Sequence, residues 1–111
     1  MGIVYLLGDR TNEGVYKIGV TRGSLENRMK KLQTGSSGEL YVVNSFKTEH
    51  PFILEKMLHN KYFGERVLGE WYELKDEEVF SFTDTCETLQ KRIEFLKENN
   101  FFFRKKFGDT N

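Results

Sequence analysis

Several residue types that would indicate particular classes of protein are scarce in this chain. It has one cysteine, so it cannot form an internal disulfide, and its two histidines and one cysteine do not have zinc-site spacing. Its apolar runs are much shorter than a membrane span, and Gly8-Asp9-Arg10 interrupts the first of them. No export signal follows Met1, so the sequence predicts an intracellular, cytoplasmic protein without a membrane partner.

The chain also lacks a net charge, because 17 basic residues balance 17 acidic residues. The distribution is uneven: residues 1–75 carry 11 basic and 9 acidic side chains, whereas residues 76–99 carry 3 and 7. The composition therefore neither requires nor excludes a basic face that binds a nucleic acid.

A chain of 111 residues has the length of one domain, and its ten phenylalanines and five tyrosines can fill a hydrophobic core. Short apolar runs between turn residues predict strands at residues 3–7, 15–20, 40–47 and 70–74. These strands would form a small central sheet, antiparallel or mixed. Residues 1–75 are predicted to be the main domain, and residues 76–111 a helical extension and tail packed on it.

Capping residues and apolar spacing predict three helical regions. Ser24 can cap a helix over residues 25–32, whose apolar face carries Leu25, Met29 and Leu32. Pro51 suits the first turn of a helix over 51–63, and Gly64 suits a left-handed position after it. The third region is 76–99, with a break at 83–85. The order ββαβαβα predicts an α+β fold with helices flanking the sheet.

Five short stretches then occur in a fixed order. They are Gly2-Ile3-Val4-Tyr5, Lys17-Ile18-Gly19, Leu32-Gln33-Thr34-Gly35, Leu54-Glu55-Lys56-Met57-Leu58-His59 and Gly69-Glu70-Trp71. Together with Arg28, they resemble the GIY-YIG nuclease superfamily. The resemblance is to the branch found in phages and large DNA viruses, which typically has K-I-G where others have Y-I-G. It covers roughly residues 2–75.

The resemblance implies a metal-dependent endonuclease with three central residues. Tyr5 would activate water, Arg28 would bind phosphate oxygens with its planar guanidinium, and Glu55 would hold Mg²⁺ or Mn²⁺. Each also has an ordinary interpretation: a packed aromatic, a surface ion-pair residue and a solvated helix residue. A free tyrosine has a pKa of about 10, so a neighbouring cation would have to favour its phenolate.

Lys17 stands where older families have tyrosine. Strand alternation puts Lys17 on the same side as Val15 and Gly19, whereas Tyr16 faces away. Hairpin pairing would place Lys17 beside Tyr5, where its ammonium could favour the phenolate or contact phosphate. Alternatively, Lys17 is an exposed strand lysine.

Other residues have weaker assignments. His59, one helical turn after Glu55, could contact phosphate, orient Glu55 or be structural. Gly19 suits a close approach by substrate or a simple bulge. Glu70 could pair with Arg66 or Arg28, and Trp71 is expected in the core. The candidate nucleic-acid contacts are Gly19, Arg22, Lys30, Lys31, Lys61 and Arg66, although the charged ones could equally form a solvated basic face.

The tail at residues 101–106 is aromatic and then basic. It could stack bases, cap the core or bury a dimer contact. A homodimer would be the simplest way to cut both strands, whereas a monomer would more naturally nick.

The sequence predicts a DNA endonuclease or nickase, with RNA the less expected substrate. The alternative is a GIY-YIG fold that binds nucleic acid without cutting it, which the missing second tyrosine and zero net charge favour. A third interpretation is a small interaction domain that uses the acidic helical region 76–99.

Overall fold

The computed structural model describes residues 1–99 of the chain. Its order is ββαβαββαα, and the predicted α+β class with helices flanking a central sheet is confirmed. The predicted tail at 101–106 lies outside the described residues. The elements are β1 (Gly2–Asp9), β2 (Val15–Thr21), α1 (Leu25–Thr34), β3 (Leu40–Thr48), α2 (Pro51–Lys61), β4 (Arg66–Leu68), β5 (Trp71–Glu73), α3 (Asp76–Phe80) and α4 (Phe82–Asn99).

The five strands form one sheet in the order β3-β1-β2-β5-β4, with antiparallel pairing between neighbours. In the β1–β2 hairpin, Tyr5 lies opposite Gly19 and Leu7 lies opposite Lys17. Residues directly opposite each other share a sheet face. Tyr5 and Lys17 therefore lie on one face, and the intervening residues of both strands lie on the other.

The second face of the sheet carries the main core. Val4, Leu6 and Ile18 have no exposed surface and pack in one cluster with apolar side chains of α2 and α4. From α4, this cluster includes Cys86 and Ile93, both of which are fully buried. The last helix is thus part of the same core as β1, and whether residues 1–75 fold without it stays a prediction.

The structure departs from the sequence prediction at β4, at Ser81 and at the end of α2. The exposed strand β4 was not predicted, because its three residues show no burial alternation. The break in the C-terminal helical region falls at Ser81 rather than at 83–85, since the turn there lets Phe82 enter the core. Helix α2 ends at Lys61, and Gly64 lies in a 3-10 turn at Phe63–Glu65 rather than in a left-handed conformation.

The predicted start of α1 is confirmed. The backbone N–H of Asn27 donates a hydrogen bond of 3.2 Å to the Ser24 hydroxyl, which satisfies one of the free donors of the first turn. Leu25, Met29 and Leu32 are half-buried along one side of the helix, and Arg28 is half-buried with them. Among the helices of residues 1–99, none combines the length and apolar composition needed to cross a membrane.

Candidate active site

Tyr5 and Gly19 form a close pair at the centre of the sheet. Tyr5 has no exposed surface, and Gly19 is buried opposite it on β2. A Cβ atom on Gly19 would overlap the hydroxyl and ring atoms of Tyr5. The close approach predicted at this glycine is therefore made by the Tyr5 ring, and a role of Gly19 in binding nucleic acid stays a prediction.

Arg28 reaches Tyr5 from α1. Its Nε–H donates a hydrogen bond of 3.2 Å to the Tyr5 hydroxyl oxygen. This bond is the main influence that raises the pKa of Arg28, and the carboxylates of Glu70 and Glu55 raise it further. The guanidinium therefore remains positively charged and lies within electrostatic reach of both glutamates.

Lys17 lies on the predicted face, but its direct neighbour on β1 is Leu7 rather than Tyr5. The hairpin register makes Tyr5 a diagonal neighbour, two positions along the strand. The Lys17 ammonium lies 3.1 Å from a carboxylate oxygen of Glu70 and 5.8 Å from the centre of the Trp71 ring. Its side chain is only 16% exposed, so Lys17 is not a solvent-facing strand residue.

His59 projects from α2 onto β2. Its Nε2 lies 3.0 Å from the carbonyl oxygen of Ile18, and its ring stacks on Tyr72 with centroids 5.6 Å apart. Since a carbonyl only accepts, Nε2 must carry the proton of this hydrogen bond. The same Nε2 lies 4.0 Å from the Glu55 carboxylate. His59 thus joins α2 to the strand beside Glu55.

Glu70 enters the site from the turn between β4 and β5. Its backbone carbonyl accepts a hydrogen bond of 3.1 Å from the Ile18 N–H, which holds the turn against β2. Arg66 was one of the two partners considered for Glu70, and its Nε–H donates to the Gly69 carbonyl at 2.7 Å. Lys17 pairs with the Glu70 carboxylate instead.

Two carboxylates thus lie close together in a partly buried position. The side chain of Glu55 is 16% exposed, and burial raises its pKa, with a further increase from Glu70. His59, Lys17 and Arg28 act in the opposite direction. The strongest cause is therefore the loss of water around the charged form of Glu55.

The same cluster fits a divalent cation. Ligand atoms of Glu55, His59 and Glu70 all lie within 4.8 Å of one another. Mg²⁺ prefers oxygen ligands, so the two glutamates are the natural ligands, and His59 Nε2 is already a donor to the Ile18 carbonyl. A cation between them would also offset the repulsion that raises the pKa of Glu55.

The charged candidates for nucleic-acid binding lie on the protein surface. All five are exposed: Arg22, Lys30, Lys31, Lys61 and Arg66. The Arg22 guanidinium lies 5.0 Å from the Phe52 ring centre, the Lys61 ammonium lies 5.8 Å from the Tyr62 ring centre, and Lys30 pairs with Glu26 at 3.6 Å. Their contact with a nucleic acid stays a prediction.

Trp71 was predicted in the core, and this prediction is wrong. It is half-buried and lies opposite Lys17, on the sheet face away from the main core. Sequence reasoning also missed the place of Glu70 in the charged cluster. The only available signal for both was the Gly69-Glu70-Trp71 stretch, which gave no indication of their partners.

The fold and this cluster define a small α+β domain with a tyrosine–arginine contact beside a pair of carboxylates. The chain belongs to the T5orf172 domain family, whose model matches residues 2–98. This family is nuclease-associated, which indicates a nucleic-acid-related role. No curated protein and no solved structure matches the chain significantly.

Proposed function

We propose that this protein is a divalent-metal-dependent nuclease of the GIY-YIG type that hydrolyses phosphodiester bonds, with DNA as its substrate. The observation that carries the proposal is the hydrogen bond of 3.2 Å between Arg28 and Tyr5, within electrostatic reach of Glu55 and Glu70. A proton acceptor, a permanent cation and a metal-binding carboxylate are the groups that this reaction requires.

Tyr5 and Arg28 act together in the proposed reaction. Arg28 holds the Tyr5 hydroxyl in place, and the Tyr5 oxygen accepts a proton from the attacking water as its own hydroxyl proton passes to solvent. As the water oxygen bonds to phosphorus, the bond to the leaving oxygen breaks, and that oxygen keeps the electron pair and takes up a proton from solvent. The free N–H groups of the Arg28 guanidinium can donate to the phosphate oxygens, on which charge accumulates.

The carboxylates of Glu55 and Glu70 would hold Mg²⁺ or Mn²⁺. When bound, the cation supplies positive charge at the scissile phosphate. Lys17 neutralises Glu70 and orients its carboxylate. The hydrogen bond from His59 to Ile18 attaches to β2 the turn of α2 that contains Glu55. Lys17 and His59 are thus positioning residues in this proposal.

One observation favours the second candidate, a module that binds nucleic acid without cutting it. Tyr5 has no exposed surface, so water reaches its hydroxyl only if Arg28 or a neighbouring group moves. A binding module would need no such movement.

A nicking assay on supercoiled plasmid in Mg²⁺ or Mn²⁺ separates the two candidates. We expect the wild type to nick, and both Tyr5→Phe and Glu55→Gln to lose activity by about 100-fold or more. The matched controls are Tyr41→Phe and Glu87→Gln, which make the same chemical changes outside the cluster. An RNA substrate of the same sequence tests the preference for DNA.

The possible results lead to different conclusions. A wild-type protein that binds the plasmid and leaves it intact would favour the binding module. Full activity in Glu55→Gln would show that this carboxylate is an ordinary helix residue. Binding that is retained or improved in Glu55→Gln, together with lost cleavage, is the expected pattern because a carboxylate near phosphate repels it.

A further inference from the structure

The residues of the proposed active site, Tyr5, Arg28, Glu55 and Glu70, are called the catalytic cluster below. A cleft of about 370 Å³ adjoins this cluster on the sheet face that carries Lys17 and Trp71. We propose that this cleft binds one nucleobase of the substrate strand and that Trp71 is the surface on which the base stacks. The inference rests on the proposed function and extends it to a specific subsite. Its lining includes Lys17, Leu32, Ser36, Ser37, Leu40 and Trp71.

The indole of Trp71 is placed for stacking rather than for core packing. Its strand neighbour Lys17 shares the sheet face, and the Lys17 ammonium lies 5.8 Å from the ring centre. The ring is half-buried, and part of its surface lines the cleft. Bases of any sequence can stack on such a surface, and a nearby cation suits the adjoining phosphate.

The rest of the cleft matches the mixed chemistry of a nucleobase. Leu32 and Leu40 offer apolar contacts to a ring, whereas Ser36 and Ser37 offer polar groups near its edge. The Asp9 carboxylate accepts hydrogen bonds from the Thr11 hydroxyl and N–H at 2.7 and 2.9 Å, and these bonds lower its pKa. An ionised carboxylate has further acceptor positions, which suit an exocyclic amino group.

The loop that carries Ser36 and Ser37 is held in place by Gln33. Its side-chain amide donates to the Gly38 carbonyl at 2.7 Å and accepts from the Leu40 N–H at 2.8 Å. These two bonds bridge the loop that carries Ser36 and Ser37. A cleft that is formed before binding loses less conformational entropy when a base enters.

Lys17 connects this cleft to the catalytic cluster. Its side chain lines the cleft, and its ammonium bonds to Glu70, which lies beside Glu55. A strand whose phosphate is near Arg28 and Glu55 would pass Lys17 and could place a neighbouring base against Trp71. The base in the cleft therefore belongs to a nucleotide close to the scissile phosphate.

The chain provides its own probe, because Trp71 is its only tryptophan. The experiment titrates full-length Glu55→Gln protein with single-stranded and duplex oligonucleotides, and follows tryptophan fluorescence and the anisotropy of end-labelled DNA. We expect saturable quenching of Trp71. An abasic residue, moved along the oligonucleotide, should abolish quenching at one position and weaken binding there by about 10-fold or more.

Three variants test the assignment to Trp71. Trp71→Phe should keep the effect of the abasic residue on affinity, whereas Trp71→Leu should lose it. Phe80→Leu, which removes an aromatic ring 85% exposed on α3, is the control and should bind like the parent protein. If Trp71→Leu does not fold, Ser37→Phe fills the cleft from its exposed loop and should also remove the dependence on the abasic position.

The outcomes distinguish this inference from the function on which it rests. Binding seen by anisotropy without quenching, and with equal affinity at every abasic position, would overturn the base subsite but leave the nuclease proposal intact. Absence of binding to every oligonucleotide would overturn both. The subsite would also be overturned if the wild type cuts plasmid but Trp71→Leu leaves the affinity for the oligonucleotides unchanged.

Discussion

At the scale of single residues, the close packing of Tyr5 against Gly19 predicts that β2 tolerates no side chain at position 19. Gly19→Ala places a methyl group where the Tyr5 ring lies, so either the ring or the strand must shift. We expect the free energy of unfolding to fall by about 1–3 kcal/mol. Urea denaturation of the variant measures the change.

A double-mutant cycle identifies the cause of that change. Tyr5→Leu removes the obstructing ring atoms, so Gly19→Ala should cost less in this background than in the wild type. Gly64→Ala is the matched control, because the position of its new methyl group is open and its backbone is not left-handed. If Gly19→Ala lowers the free energy of unfolding equally in both backgrounds, the glycine is not required by the Tyr5 ring.

The Glu55 carboxylate should make stability depend on pH. Because its pKa is raised in the folded state, the folded protein binds this proton more tightly than the unfolded chain does. The corresponding stability is therefore complete below the unfolded pKa and is lost as pH rises through the folded pKa. Glu55→Gln removes this dependence and should be more stable than wild type at neutral pH by about 1 kcal/mol or less.

Urea unfolding of both proteins from pH 4 to 8 tests this prediction. The advantage of Glu55→Gln should shrink as pH falls, since both side chains are then neutral. Glu87→Gln, at an exposed position of α4, should show a smaller effect. Added Mg²⁺ should stabilise the wild type and leave Glu55→Gln unchanged. If Glu55→Gln became increasingly more stable than the wild type as pH fell, the pKa of Glu55 would be lowered rather than raised by folding.

At the scale of elements, Gln33 explains how the loop after α1 is fastened to β3. Its amide uses both a donor and an acceptor on that loop. Gln33→Ala should lower the free energy of unfolding by about 1–2 kcal/mol and reduce the hydrogen-exchange protection of the Leu40 amide. Unfolding experiments and exchange followed by NMR measure these two effects.

A more conservative change separates the two hydrogen bonds. Gln33→Glu keeps an acceptor for Leu40 but removes the donor to Gly38, so the protection of Leu40 should largely persist. Lys31→Ala, an exposed change on the same helix, should leave the Leu40 amide unaffected. Normal protection of Leu40 in Gln33→Ala would show that the strand ladder alone holds this end of β3.

The elements also show where local sequence signals are sufficient. Ser24 and Pro51 marked the starts of α1 and α2 correctly, because a cap and a fixed backbone angle act within one turn. The break at Ser81 was missed, because it depends on Phe82 entering a core built by distant strands. The short strand β4 was missed since its pairing with β5, rather than its composition, makes it a strand.

At the scale of the whole molecule, Cys86 reports whether the C-terminal helix is an independent extension. It is the only cysteine and is fully buried, and burial raises its pKa to about 12. The native thiol should therefore resist alkylation at neutral pH. Its labelling should occur only through global unfolding, with a denaturant dependence equal to that of the whole domain.

Labelling rates measured against urea concentration show whether α4 unfolds with the sheet or separately from it. Fast labelling with a weak denaturant dependence would indicate that α4 detaches while the sheet remains folded. That result would support a main domain at residues 1–75 and a separate extension. Ile93→Ala, which removes a buried side chain from the same helix, should accelerate labelling by lowering the free energy of unfolding by about 2–5 kcal/mol.

The sequence by itself determined the α+β class and the starts of its main elements, and the resemblance of its motifs to a known family supplied the Tyr5, Arg28 and Glu55 candidates. These depend on local periodicity, capping and short motifs, which a linear chain displays directly. Only the tertiary structure decided that Lys17 bonds to Glu70, that the Tyr5 ring occupies the space above Gly19, and that Trp71 lines a cleft rather than the core. These contacts depend on strand register and on the packing of α1 against this face of the sheet. A shift of one residue would turn each strand side chain to the opposite face.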